Sequence, residues 1–163
     1  MKAELAELYR HNTWANVILV DFCAALPSEH AEARTAGTYG PPRDTLWHIA
    51  ANECGYLSMW GEQIGPPPGA ETSFPGWDAL RERFAAAGDA FVRIASRLQP
   101  DDVLRGEFQG RPYEMPAVVP LMQAINHGTE HRAHVVTTLS ARGVETPTLD
   151  AWTYWQQAAA GGP

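Results

Sequence analysis

The chain is short of cysteine, of charge and of long apolar runs. Two cysteines in 163 residues, Cys23 and Cys54, exclude a disulfide-stapled scaffold and read as buried free thiols. Charged residues make up 19% of the chain against 45% hydrophobic ones, a balance that excludes a disordered, charge-rich segment. No apolar run approaches the ~20 residues that a membrane-spanning helix needs, so no membrane partner is expected. Cations are scarce, twelve Lys+Arg against nineteen Asp+Glu for a net charge of -7, which is the wrong sign for nucleic acid. The amino-terminal stretch MKAELAELYRHNTWAN lacks an apolar signal core and a small-residue cleavage site, so the expected location is cytoplasmic. What remains is one globular domain over residues 1–163, long enough to bury a core.

Gly and Pro punctuate the chain at Gly40-Pro41-Pro42, Gly65 to Gly69, Pro75-Gly76, Pro100 and Gly143, and leave four long stretches between. Ala3 to Leu26 carries Leu5, Leu8, Asn12, Ala15, Leu19, Phe22 and Leu26 at spacings of three and four, one helical stripe that is apolar except at Asn12. Arg43 to Ile64 carries two rows, Leu46, Ile49, Tyr56 and Trp60 beside Thr45, His48, Asn52, Gly55 and Met59. Asp78 to Leu98 has a wholly apolar row, Leu80, Phe84, Ala87, Phe91, Ile94 and Leu98, with Asp78 placed to cap its first turn. The fourth stretch begins near Pro120 and ends at Arg142, before a Gly143 suited to the left-handed position after a helix; its row is Ala124, His127, His131, His134 and Thr138.

Between the third and fourth helices, Val103 to Phe108 and Arg111 to Met115 flank Gln109-Gly110 as a small β-hairpin. Leu149 to Trp155, with three aromatics, reads as a short C-terminal helix closing over an end of the bundle. The pattern as a whole is all-α, a four-helix bundle.

His127 and His131 stand four apart on one helix, on one face, at a separation that lets both rings reach a single metal. A third ligand has to come from elsewhere, and His48 is the histidine of the second helix. Three neutral imidazoles leave a coordination position open, the arrangement of a catalytic site rather than a structural one. The bland alternative is a set of core or surface histidines with ordinary hydrogen bonds. Asn12 and Asn52 at the same depth favour a polar cavity, because unpaired buried polar groups cost ~1–3 kcal/mol each. The third helix then forms its apolar back wall. Arg132 reads as a surface ion-pair residue rather than a substrate clamp. His11 and His30 read as surface or loop residues, and Trp14, Tyr56 and Trp60 as core packing.

The blocks Asn12-Thr13-Trp14-Ala15-Asn16, Trp47-His48-Ile49-Ala50 and Asn126-His127-Gly128-Thr129-Glu130-His131-Arg132, followed by Gly143-Val144 and Leu149-Asp150-Ala151-Trp152, resemble the DinB family over nearly the whole chain. That resemblance implies an up-down-down-up four-helix bundle, a divalent metal on His48, His127 and His131, and a homodimer. The family often has Gln where this chain has His134. His134 is read as a rim residue or proton shuttle. His127 to His131 also fits the H-x-x-E-H zinc signature of inverzincin peptidases. Those enzymes resemble one another in taking a third ligand from a glutamate well downstream, whereas only 32 residues follow His131 here and Glu145 is the single glutamate among them.

The expected activity is metal-dependent chemistry on a small-molecule substrate. The wider superfamily includes thiol S-transferases, so the resemblance implies a low-molecular-weight thiol as co-substrate, with Glu130 or His134 handling its proton. Water in the thiol's place implies a hydrolase, and a non-catalytic metal-binding stress protein is the alternative of another class. Imidazole nitrogens accept zinc, nickel, iron or copper, with zinc or nickel the expected ion.

Overall fold

The computed structural model describes residues 2–65 and 73–160. Among these, the elements are α1 (Lys2–Ala25), α2 (Ser28–Ala31), α3 (Pro42–Ser58), α4 (Trp77–Arg97), β1 (Val103–Phe108), β2 (Arg111–Pro116), α5 (Val118–Ser140) and α6 (Ala151–Ala159). The Pro66 to Gly69 part of one expected break lies outside the described residues.

The four long helices form the bundle, and their side-chain pairings fix its directions. Tyr9 stacks on Phe91 at 5.0 Å while Arg81 bonds Asp21 at 2.9 Å, so α1 and α4 run antiparallel. His48 meets His131 and Tyr56 meets His127, so α3 and α5 are antiparallel too. Arg83 lies over Trp47 and Arg93 bonds Glu62, just beyond α3, which makes α3 and α4 parallel. The order is up-down-down-up.

Local chemistry sets where the helices stop. The expected second helix ends six residues early, at Ser58. Gly61 adopts φ +77 there, its N–H bonds the Ser58 carbonyl at 2.9 Å, and the Glu62 N–H reaches back to Leu57 at 3.3 Å, a left-handed closure that satisfies two terminal carbonyls. Gly143 closes α5 in the same way, at φ +74, with Gly143 bonded to Ser140 and Val144 to Leu139. The hairpin turn is as read: Gln109 (φ 51) and Gly110 (φ 74) are both left-handed, as a two-residue turn requires, and Phe108 pairs with Arg111. Asp78 does not cap α4. Gly76 occupies the cap position, no side chain bonds there, and Asp78 contributes only its charge in the first turn.

The α1 stripe is rotated from the one read in the sequence. Leu8 is exposed, and Tyr9, one position on, is fully buried. The short α6 also sits differently. It lies along the flank of α1, where the Tyr154 hydroxyl donates to Glu7 at 2.6 Å, the Trp14 indole N–H to Gln157 at 3.1 Å, and the His11 ring meets the Leu149 carbonyl at 3.0 Å. Asp150 caps it by accepting from the Thr153 N–H at 2.8 Å. Trp152 and Trp155 remain exposed.

Two apolar clusters fill the bundle. One gathers Leu19, Val20, Leu46, Ile49, Leu80, Phe84, Val135 and Leu139; the other gathers Ala6, Tyr9, Leu57, Ala87, Phe91, Leu121 and Ala124. Between them along α1, α3 and α5 lie the buried polar residues Asn12, Asn16, Glu53, His127, His131 and Arg132. Helix α4 adds no polar group to this layer and is its apolar wall, as its sequence row implies.

Candidate metal centre

The polar layer has two halves. In one, α3 brings His48 against His127 and His131 of α5. The ligand-capable atoms of these three residues all lie within 4.8 Å of one another. His48 Nε2 and His127 Nε2 are 3.1 Å apart. With metal–nitrogen bonds of ~2.0–2.1 Å that separation corresponds to an angle of roughly 100° at a shared ion, close to tetrahedral. The ring centroids are 4.9 Å apart for His48–His127, 4.8 Å for His48–His131 and 4.4 Å for His127–His131. The i, i+4 spacing of the α5 pair has the expected consequence.

Electrostatics keep the rings in the form a cation needs. Burial, reinforced by its histidine neighbours, pushes His127 down to about 4. Burial also lowers His48, with His131 adding to it, and lowers His131, where the effect of His134 adds and the Glu130 carboxylate partly offsets. The three imidazoles are therefore neutral at neutral pH, the protonation state of a ligand. Nδ1 of His127, of His131 and of His134 are buried and have no hydrogen-bond partner among the described residues. His127 turns its other nitrogen, Nε2, toward His48, and this convergence of neutral ring nitrogens, with His131 alongside, is what fits a cation.

The surrounding side chains divide into those the sequence pointed to and those it did not. His134 is half-buried with its ring 5.3 Å from His131. Glu130 is exposed, and its carboxylate acts on His131 through charge. Asn52 donates to the His48 carbonyl at 2.8 Å and holds its amide against the His48 ring. Tyr56, read as core, is half-buried with its ring 6.1 Å from that of His127. Tyr39 was not singled out by any pattern. It comes from the loop before α3, stacks on His48 at 4.1 Å, meets the edge of His131 at 4.9 Å, and places its hydroxyl 2.9 Å from His48 Nδ1.

The other half of the layer corrects one reading and adds two residues. Arg132 is no surface residue. It is 6% exposed and donates from Nη1 to Asn12 Oδ1 at 2.8 Å and Asn16 Oδ1 at 2.7 Å, and from Nη2 to Thr129 Oγ1 at 3.1 Å. The amides of Asn12 and Asn16 in turn donate to Glu53 Oε1 at 2.9 and 3.0 Å. Burial pushes the Glu53 carboxyl up to about 7 against the opposing pull of Asn12, Arg132 and Asn16. Burial lowers Arg132 to about 10, which leaves it cationic at neutral pH. Glu53 had a sequence signal: it fills the vacant slot between Ile49 and Tyr56 in an otherwise apolar row.

No curated protein and no solved structure matches the chain. The family model for the DinB family matches residues 1–161, with the histidine of α3 and the histidine pair of α5 brought to one point, and the chain belongs to the DinB family.

Proposed function

We propose that the protein is a metal-dependent enzyme acting on a small molecule, with His48, His127 and His131 as the ligands of a divalent cation. The observation that carries this reading is the convergence of three neutral imidazoles from two helices, with donor atoms within 4.8 Å. A bound ion at such a site favours the deprotonated form of a coordinating thiol, or lowers the pKa of water toward ~7. Resemblance to a superfamily that includes thiol S-transferases supports the thiol, with zinc or nickel as the ion. His134, beside His131 and open to the rim, is the group proposed to accept the thiol proton, and the Glu130 carboxylate assists by charge. Tyr39 and Tyr56 flank the triad and shield it. The sulfur then forms a bond to an electrophilic carbon as its leaving group departs with the electron pair. A homodimer in the cytoplasm belongs to the same proposal, and light scattering tests the dimer.

The test uses protein purified without a histidine tag. Bound metal is measured in the wild-type chain, in His48→Ala and in His127→Ala, with helical content followed in parallel. Metal present in the wild type and lost from both folded variants is the expected result; metal retained in both overturns the site. Consumption of a low-molecular-weight thiol with a model aryl halide, abolished by a chelator, is the result expected of an S-transferase. Hydrolysis of an ester or amide with no thiol consumed would favour water as nucleophile. Metal binding without either turnover would make the protein a binder.

A further inference from the structure

We infer that Asn12, Asn16, Glu53 and Arg132 form a rotational lock that aims His48, His127 and His131 at one point, making the two asparagines of α1 positioning residues for a metal site to which α1 contributes no ligand. The inference rests on the metal reading above.

Each asparagine uses its amide in both directions, nitrogen to Glu53 of α3 and oxygen to Arg132 of α5, in four bonds of 2.7 to 3.0 Å. An amide has its donor and acceptor at fixed places, so the set is satisfied only at one rotation of α1 against both partners. On α5 each ligand is followed directly by a residue that bears on this arrangement, Arg132 as a member and Gly128 as the space beside it. Arg132 follows His131, and adjacent helix positions are ~100° apart, so a guanidinium held on α1 turns His131 toward α3. Gly128 follows His127. A Cβ there would meet Arg132 Nη1 at 2.9 Å and Asn12 Oδ1 at 3.1 Å, so the missing side chain leaves the space through which the guanidinium reaches α1. On α3, Glu53 follows His48 by five residues and is fixed by the same two amides.

A structural role alone gives a poor account of this cluster. Replacing buried ionic groups by apolar residues of similar volume is often neutral or stabilising, and the apolar clusters on both sides show that this bundle packs such residues well. Directional hydrogen bonds add a constraint on rotation to what apolar packing gives, and a three-imidazole site needs its rings placed to within a fraction of an ångström.

The experiment measures zinc affinity by chelator competition on the full chain, at a temperature where circular dichroism shows every variant folded. Asn16→Ala and Asn12→Ala are expected to bind zinc tenfold or more weakly, within the 10–100-fold range of groups that orient metal ligands. Leu80→Val, a core change on α4 outside the polar layer, is expected to lower the melting temperature and keep the affinity within twofold. Glu53→Gln, which keeps an acceptor oxygen for both amides, is expected to stay within threefold. Folded asparagine variants with wild-type affinity, or an equal loss in Leu80→Val, would overturn the lock. Should one asparagine variant fail to fold, the other decides. Nuclear Overhauser contacts between the His48 and His127 rings in zinc-free protein give a second readout. They are expected in the wild type and weakened in the asparagine variants, and unchanged contacts overturn the lock. A wild-type chain that shows these contacts and binds no zinc defeats the metal reading alone.

Discussion

His48 Nε2 and His127 Nε2 stand 3.1 Å apart across 79 positions of sequence. Neither ring is charged at neutral pH, because burial opposes protonation of both. A pair of neutral nitrogens aimed at each other can share one proton, which leaves the ring of His131 outside the pair. A cation can bond one nitrogen from each of the three rings, where a shared proton joins only two.

Zinc should therefore stabilise the fold. At a free concentration a hundred times its dissociation constant, a ligand that binds only the native state contributes ~2.7 kcal/mol. For a chain of this size each kcal/mol moves the melting temperature by ~2–4 °C, so a rise of about 5–10 °C is expected in a thermal scan. His127→Ala should show no rise. An equal rise in that variant would place the bound zinc elsewhere.

Tyr39 should tune the affinity of the site. Its hydroxyl lies 2.9 Å from His48 Nδ1, and its ring stacks on His48 at 4.1 Å. Tyr39→Phe keeps the stacked ring and removes only the oxygen, so the packing around His48 is preserved while the polar contact is lost. Partners that hold a ligand imidazole typically matter by 10–100-fold, and a loss of about tenfold in zinc affinity is expected. Competition with a chelator of known affinity reads it directly. An unchanged affinity would show that the hydroxyl merely rests beside the ring.

The same residues show how far the sequence could be read. The i, i+4 pair on α5 and the all-apolar row on α4 declare themselves because helix periodicity is local and strong. No periodicity links His48 to that pair, 79 positions away; the partnership rests on His48 being the histidine of the second helix, beside Asn52, and the family resemblance implies the same set. Arg132 was misjudged because arginine is rarely buried, and its two amide acceptors sit on another helix. Asn16, four residues beyond Asn12, shared its signal but fell outside the apolar stripe. Tyr39 lies in a loop, where spacing carries no information about direction. The stripe read on α1 runs through Leu8, which is exposed, whereas Tyr9, one position on, is buried and stacks on Phe91 of another helix, a contact that spacing within α1 does not reveal.

Glu53 gives the metal-free protein a characteristic pH dependence. Its folded value, about 7, lies above its ordinary 4.5, so between these values the native state binds more protons than the unfolded one. Stability contributed by the neutral carboxyl is then present below pH 4.5 and lost as the pH rises to about 7. His127 acts oppositely: its value falls from 6.5 to about 4, so its contribution is present above 6.5 and lost as the pH falls toward 4. Comparison with Glu53→Gln isolates the carboxyl. Relative to that variant, the wild type should lose roughly 3 kcal/mol in urea unfolding between about pH 4 and about pH 8. A gap independent of pH would show that the network, and not burial, governs this group.

Two glycines in helix interiors should respond to alanine with opposite signs. An alanine is ordinarily favoured over glycine in a helix by roughly 0.5–1 kcal/mol, because glycine loses more backbone freedom on folding. Around a Cβ added at Gly55 of α3 nothing among the described residues lies within 4 Å, so that gain should be realised in full. Gly88 of α4 is buried against α1, and a Cβ there would run into Thr13, with Cγ2 at 2.6 Å and Cβ at 2.8 Å. The Thr13 hydroxyl is itself committed to the Tyr9 carbonyl at 2.9 Å, and its Cβ moves only with the α1 backbone. Relief therefore requires the two helices to separate, and overpacking of this kind costs ~1–3 kcal/mol, more than the helix propensity returns. Gly88→Ala should lower the midpoint of urea unfolding and Gly55→Ala should raise it. A stabilised Gly88→Ala would mean that α1 and α4 pack less closely than Thr13 and Gly88 indicate.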